Sequence, residues 1–340
     1  MDISIIHDQE QFHMLSVEWN HLLAQSVVDV PFLRHEYLLT WWETLGGGEW
    51  DSGDLWIVAG KAADGNLVGL APLFRTIDDE GSLSLMFLGS IEISDYLDLI
   101  VKDEELEGFV RESLDVLAAQ PLSDWERIDL YNLPEWSPTG EVLISEAQRR
   151  GWDMSRERLQ PCPFIDLNMD WESYLGSLSK KQRHELRRKI RRAESQPEGV
   201  SLRTVNTDED IDRWTEAFID LMAFDPKKKD FLTEEMCTQI RHSALEASRS
   251  EWLLFTFLEV GDQIAAGYMN FDYGDRIWVY NSGLNPEYLS LSPGWVLTGY
   301  LIQWGIERGR QTLDFMRGDE QYKYRLGGVD RYIQRLAFSR

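Results

Sequence analysis

Cysteine is almost missing from this chain. There are two in 340 residues, Cys162 and Cys237, far apart and outside any CxxC pattern. That leaves no disulfide framework and no cysteine-based zinc site to expect. The six histidines, His7, His13, His21, His35, His184 and His242, form no HxxxH or HExxH pair, so no metal site is expected. Neither GxSxG nor a phosphate-binding P-loop motif occurs. No apolar run approaches the ~18 residues of a membrane span. The opening MDISIIHDQEQF lacks the basic and apolar regions of a secretory signal. A reduced, cytoplasmic protein is the expectation.

Positive charge is also scarce. Lys and Arg number 34 against 59 Asp and Glu, a net charge of −25. Phosphate repels such a surface, which argues against general nucleic-acid binding. The deficit is uneven. Residues 1–160 hold 31 acidic and 10 basic residues, a balance of −21, which leaves −4 for residues 161–340. Much of the offset comes from KKQRHELRRKIRR (180–192). This segment reads as a helix with basic residues all around it. It could be a solvated helix, a clamp for phosphate or another anion through residues such as Arg187, or a nucleic-acid contact. DPKKKDF (225–231) reads as a basic loop at a cleft mouth.

What is present is ordinary globular material: 43% hydrophobic, 27% charged, and long enough for two domains. Phe12, Leu15, Trp19, Leu22 and Leu23 recur at helical spacing over residues 12–26. A second helix follows Pro31. LWIVAGKAADGNLVGLAPLFRTI reads as a hairpin turning at Asp64-Gly65. SLSLMFLG and YLDLIV follow as strands, EELEGFVRESLDVLAAQ as a helix with acidic first turns, WERIDLYNLP as a strand, and TGEVLISEAQRRG as a helix ending at Gly151.

The second half repeats the order. WLLFTFLEVGDQIAAGYMNF is a hairpin, RIWVYNSGL a strand and PGWVLTGYLIQWGIERG a helix with Pro293 at its entry. TLDFMRGDE and RYIQRLAFSR are the last strands. The order and spacing imply two copies of one α/β unit, joined near Gln160 to Pro163. Trp41-Trp42 and the other tryptophans read as core rather than as platforms for sugars.

Three stretches carry candidate chemistry. LSPGW lies where a strand gives way to a helix, whose first N–H groups are unpaired and favour an anion. There Ser292 can cap, Pro293 loses no needed donor, and Gly294 allows close approach. A plain helix start is the alternative. In YNSG (280–283), alternation puts Tyr280 and Ser282 on one face. The alternative there is an ordinary strand end. In DFMRGDEQYKY, Asp314 sits inside an apolar strand and needs a partner, with Arg317 and Lys323 at hand. Asp319 or Glu320 can act as a base and Tyr322 as a proton donor. A buried ion-pair lattice is the competing reading.

SKKQRHELRRKIRRAE (179–194), YNSGLNPEYLSLSPGWVL (280–297) and LDFMRGDEQYKYRLG (313–327), with the element order, resemble the GNAT acyltransferases. Two such units in tandem resemble the Fem-type ligases, and more closely the acetyltransferase-like proteins of bacterial cellulose and exopolysaccharide synthesis. The resemblance covers most of residues 160–340 and, loosely, residues 1–159. It implies an α/β fold with mixed sheets: a non-catalytic GNAT-like domain over 1–160, forming one wall of the acceptor cleft, and an acyltransferase domain over 161–340. It implies acetyl-CoA or another acyl-CoA as donor, at Ser282, Ser292, Pro293, Gly294 and Trp295, and no metal. Tyr280, Arg317, Lys323 and Arg187 would contact substrate. Asp319, Glu320 and Tyr322 would carry the chemistry. The acceptor would be an amine or hydroxyl of a sugar or polysaccharide precursor, with the synthesis machinery as a partner. The alternatives are an aminoacyl-tRNA-dependent ligase and a silent partner of a polysaccharide synthase. The usual GNAT phosphate loop has more glycine (Q/R-x-x-G-x-G/A) than the single Gly294 here.

Overall fold

The computed structural model of the chain describes residues 1–78, 81–121, 123–205 and 209–340. It separates into two compact units, Met1–Gln160 with Tyr332–Arg340, and Pro161–Arg331.

The first unit runs β1 (Asp2–Ile6), α1 (Gln9–Met14), α2 (Ser16–Leu23), α3 (His35–Gly48), β2 (Asp54–Leu55), β3 (Ile57–Lys61), β4 (Leu67–Ala71), β5 (Leu73–Ile77), β6 (Leu83–Phe87), β7 (Ile100–Val101), α4 (Leu106–Ala118), β8 (Arg127–Pro134) and α5 (Thr139–Arg150). The single helix expected over residues 12–26 is two helices meeting at Leu15, although its apolar face is buried as the spacing requires. One antiparallel sheet has the order β1-β3-β4-β7. The β3–β4 turn uses Gly65 at φ +87°, the left-handed region where glycine is unstrained. After Pro72 the chain leaves that sheet, and β5 pairs with β2 and β6. Strand β6 then lies parallel to β8 over Ser84–Met86 and Arg127–Asp129. Of YLDLIV only Ile100 and Val101 are strand; Tyr96 to Leu99 take another course.

β9 (Asp153–Asp166) leads into the second unit, which continues with α6 (Trp171–Ser177), α7 (Lys180–Glu194), β10 (Val200–Thr204), α8 (Ile211–Met222), α9 (Pro226–Phe231), α10 (Glu234–Arg249), β11 (Leu253–Val260), β12 (Gln263–Tyr273), β13 (Arg276–Leu284), α11 (Pro293–Glu307), β14 (Thr312–Asp314) and α12 (Gln321–Arg325). Strands β10 to β13 are antiparallel neighbours in chain order. β14 lies parallel to β13, and Phe164–Asp166 of β9 pairs antiparallel with β14. Gly267 and Gly283 face α8: a Cβ on either would come within 2.9 Å and 2.5 Å of Leu221. Ala266, one step along β12, joins the core that holds Val296, Leu297 and Leu301 of α11, so the two helices cover opposite faces of the sheet.

Two sequence expectations change here. The helix α7 is not basic all round. Leu186, Ile190 and Ala193 form an i, i+4, i+7 stripe against Gly299 of α11, where an added Cβ would be 3.1 Å from Leu186 and 3.2 Å from Ile190. DPKKKDF is a short helix rather than a loop, because Asp225 caps it by accepting from the Lys227 N–H and Pro226 suits a first turn.

The last strand, β15 (Val329–Ser339), was expected within a 161–340 domain. Its residues from Ile333 onward pair antiparallel with β8, and Ile333, Leu336, Ala337 and Phe338 are buried. Residues 332–340 therefore complete the first unit.

Candidate active site

In the second unit β13 and β14 pair only over Arg276–Trp278 and Thr312–Asp314. β13 then runs on to Leu284. Met269 faces Asn281 while Asn270 faces Val279, so Tyr280 is the extra residue of a β-bulge, which redirects the strand. After Asp314 the other chain turns away. Phe315 and Gly318 give their N–H groups to the carbonyls of Pro163 and Pro161, with Met316 at φ +62° and Gly318 at φ +112°. The strands diverge and open a slot, and among the described residues no strand pairs with β13 on the β14 side from the bulge to Leu284. Such an edge can pair with an extended ligand through its backbone.

Helix α11 begins beside this slot. Ser292 does not cap it with its side chain. It takes a left-handed conformation (φ 55°, ψ 54°), and its Oγ accepts from Lys189 Nζ at 3.0 Å. Trp295 and Val296 give their N–H groups to the Ser292 carbonyl, and Pro293 has none. The Gly294 N–H makes no hydrogen bond among the described residues. A Cβ on Gly294 would meet nothing nearer than Leu284 Cδ2 at 3.5 Å, whereas at Gly305 it would come within 2.6 Å of Ile277. Packing demands glycine at 305 but not at 294, where the missing side chain opens the helix start to a ligand.

Lys189 reaches this point from α7, with its ammonium 4.7 Å from the Trp295 ring centre. Burial lowers its pKa; Glu185 works against that, and Arg188, Arg325 and Arg192 push the same way as burial. Lys189, not Arg187, is thus the residue that the basic helix brings to the helix start. Arg187 pairs with Glu172 of α6 at 2.6 Å, near solvent.

A second lysine sits at the far end of β13. Lys228 of α9 donates to Asn281 Oδ1 at 2.8 Å, to the Ser282 carbonyl and to Ser282 Oγ at 3.2 Å. Burial lowers its pKa, against the pull of Asp225 and Glu320. It lines an apolar cleft of about 400 Å³ with Leu221, Met222, Phe224, Leu284 and Leu289. An ammonium only donates, so Ser282 and Ser292 must accept from their lysines, and each hydroxyl keeps its own proton for a ligand. Tyr280 stacks on Phe271, ring centres 5.0 Å apart.

The charged cluster divides by role. Asp314 is buried and accepts from the Met316 N–H at 2.8 Å. Lys323, expected to touch substrate, is 2% exposed. Its ammonium binds the carbonyls of Met316 (3.2 Å), Arg317 (2.6 Å) and Gly318 (3.1 Å) and pairs with Glu320 (2.9 Å). With its protons used inside the loop, it holds the turn that separates the strands. Arg317 is half-buried, and Asp319 is exposed without a hydrogen bond or ion pair among the described residues. Tyr322 meets Phe315 edge-on with ring centres 5.8 Å apart, and its phenol is pushed up by burial and by the neighbouring Tyr268 and Glu320. Tyr268 in turn bonds Thr298 of α11 at 2.8 Å. Glu320 is thus near enough to act electrostatically on both Lys228 and Tyr322, and Tyr322 is near Tyr268, which bonds α11. Sequence reasoning missed both lysines. Lys189 was hidden by the apparent absence of a stripe on α7, and Lys228 by reading α9 as a loop.

The first unit has the same divergence of strands, between β6 and β8, but its own chain occupies the opening. Asn132, at φ +59°, donates to the carbonyls of Ile91 (2.8 Å) and Ser94 (2.7 Å), and its carbonyl accepts from the Leu97 N–H (3.0 Å). Tyr96 and Leu97 are fully buried there. The turn before α4 carries Asp103, Glu104 and Glu105. Burial pushes the nearby Asp98 carboxyl up to about 7, against the opposing pull of Ser137, Thr139 and the Leu99 N–H.

Residues 180–324 match the acetyltransferase (GNAT) domain family. No curated protein sequence matches the chain significantly. Among solved structures it is similar to FemX, with 10% identity over 99% of this chain and 97% of that one and a TM-score of 0.68. L-PGS from Bacillus licheniformis gives 14% identity, 100% and 94% coverage and a TM-score of 0.57. A tandem GNAT protein from the clavulanic acid biosynthesis pathway gives 12%, 99% and 98%, and 0.51. The fold is a mixed α/β arrangement of two tandem GNAT-like domains. Among the described residues no helix is long and apolar enough to cross a membrane, and no group of three His, Cys, Asp or Glu is placed to hold a metal.

Proposed function

We propose that the chain is an acyltransferase that moves an acyl group from acyl-CoA, acetyl-CoA in the simplest case, to an amine or hydroxyl. The donor lies along this edge of β13, with its diphosphate on the Gly294 N–H, the Ser292 hydroxyl and Lys189. The observation that carries this reading is that Gly294, which packing does not require, opens a helix start already supplied with a cation. The acceptor attacks the thioester carbonyl; its bond to carbon forms, the C–S bond breaks, and its proton passes to Glu320. Tyr322 stays protonated, because its phenol is raised, and gives a hydrogen bond to the departing thiolate. The resemblance to exopolysaccharide-associated proteins favours a sugar or polysaccharide precursor as acceptor, with the synthesis machinery as partner. The first unit, its own slot occupied, binds no donor.

A second reading, transfer of an aminoacyl group from tRNA, draws on the exposed Arg187, Arg188, Arg191 and Arg192 of α7 and on the fold shared with FemX. The net charge of −25 opposes it. A thermal-shift series separates the two, since a ligand of the native state raises apparent stability. Acetyl-CoA and longer acyl-CoAs should raise the melting temperature, and aminoacyl-tRNA should not. A shift with aminoacyl-tRNA alone would reverse the order of the two readings. A silent partner would shift with neither.

A further inference from the structure

The first unit holds an open cleft of about 510 Å³ lined by His7, Gln9, Trp42, Asp54, Trp56 and Arg75. Trp41 beside it in α3 is wholly buried, but Trp42 is only half-buried. No ring stacks on Trp42, and its indole N–H makes no hydrogen bond among the described residues. His7 Nδ1 is 2.8 Å from the Leu55 carbonyl. A carbonyl only accepts, so this nitrogen carries a proton, and in that tautomer Nε2 is the ring's acceptor. The ring is fixed edge-on against Trp56, with centres 4.4 Å apart. Arg75 lies over the Trp56 ring at 5.0 Å and binds Asp54 Oδ2 through Nε (3.2 Å) and Nη2 (2.6 Å) and the Asp124 carbonyl through Nη1 (3.2 Å). Asp54 Oδ1 and the Gln9 carboxamide make no hydrogen bond to a described residue.

The cleft thus presents part of the Trp42 ring with an indole N–H that has no partner among the described residues, two acceptors and a carboxamide, with the His7 ring held by Leu55 and Trp56 and the Asp54 carboxylate held by Arg75. The acidic surroundings, −21 over residues 1–160, repel a phosphate. Arg75 already neutralises Asp54, which removes the attraction for a cation, and the polar lining gives an apolar ligand little to bury. What remains is a neutral molecule with an apolar face and a rim of hydroxyls. We propose that this cleft binds an uncharged saccharide, with a pyranose ring stacked on Trp42 and hydroxyls donating to His7 Nε2 and Asp54 Oδ1. The site is independent of the acyl-donor site and does not rest on the transferase reading.

Saturation-transfer NMR on the full chain with cellotetraose, chitotetraose and maltotetraose tests this. At least one should receive saturation on its ring protons. Trp42→Ala and His7→Ala should each weaken that binding by about tenfold or more. His7 is exposed, so its replacement keeps the test usable should Trp42→Ala misfold. Gly294→Glu should leave saccharide binding unchanged, which separates this site from the donor site. No transfer to any of the three tetrasaccharides, or transfer undiminished in folded His7→Ala, would overturn the proposal.

Discussion

Each unit splits a pair of parallel strands, β6 from β8 and β13 from β14, and the two use the gap in opposite ways. In the first unit Asn132 ties residues 91–97 into the opening, so the backbone groups that the diverging strands expose are satisfied internally. In the second unit the caged ammonium of Lys323 pulls the chain after β14 aside, and the end of β13 is left without a second strand partner among the described residues, with Lys228 on Ser282 and Gly294 open at the start of α11. Charge follows the same division. Where the first unit enters its helix on Asp103, Glu104 and Glu105, the second enters on Ser292 with Lys189. A duplicated scaffold need keep only one working site, and the other can then use its buried polar groups for structure.

The contrast breaks most visibly at Glu320. If it is the base, Glu320→Gln should slow turnover by about 10²- to 10⁴-fold with little change in melting. Single-turnover kinetics with acyl-CoA checks this, and full activity would remove Glu320 from the chemistry. Next comes the clamp that separates the second unit's strands. Lys323→Ala leaves the carbonyls of Met316, Arg317 and Gly318 without their shared donor, at roughly 1–3 kcal/mol for each one left unsatisfied, while the exposed Glu320 returns to water. A melting temperature near wild type would mean that the slot is held open by something else.

The first unit makes a pH prediction of its own. Burial raises the Asp98 carboxyl from its ordinary value of 3.8 to about 7. A carboxyl raised on folding favours the folded state at low pH, and this contribution falls as pH rises from about 4 and is lost above about 7. Its span is at most about 4 kcal/mol. Asp98→Asn should therefore flatten the fall in stability between pH 5 and pH 8 seen by denaturant melts. An identical pH profile in the variant would show that Asp98 does not titrate in that window. The smallest effect belongs to Tyr322. Tyr322→Phe removes one hydrogen bond to the thiolate and should cost about tenfold in kcat. A loss as large as that of Glu320→Gln would make Tyr322 a full proton donor instead.

Much of this was legible from the sequence, because it rested on local signals. The repeated order of hairpin, strand, helix and strand, the entry of α11 at Pro293, and the need of buried Asp314 for a partner all follow from spacing and residue type. What could not be read depended on the third dimension. Asp314 finds a backbone N–H two residues on as one partner, and Lys323 goes to Glu320 and three carbonyls, a choice set by the left-handed turn at Met316. The role of Lys189 depends on which way a basic helix turns its few apolar residues. Tyr96 and Leu97 looked like strand residues because a plug and a strand both need apolar side chains.

The central claim is that one chain has one donor site, in the second unit. Calorimetric titration of acetyl-CoA into the wild-type chain and into Gly294→Glu tests it most directly. The account predicts one acetyl-CoA per wild-type chain and no measurable binding to Gly294→Glu, with the variant folded as judged by its melting. Two sites per wild-type chain, or undiminished binding to Gly294→Glu, would contradict it.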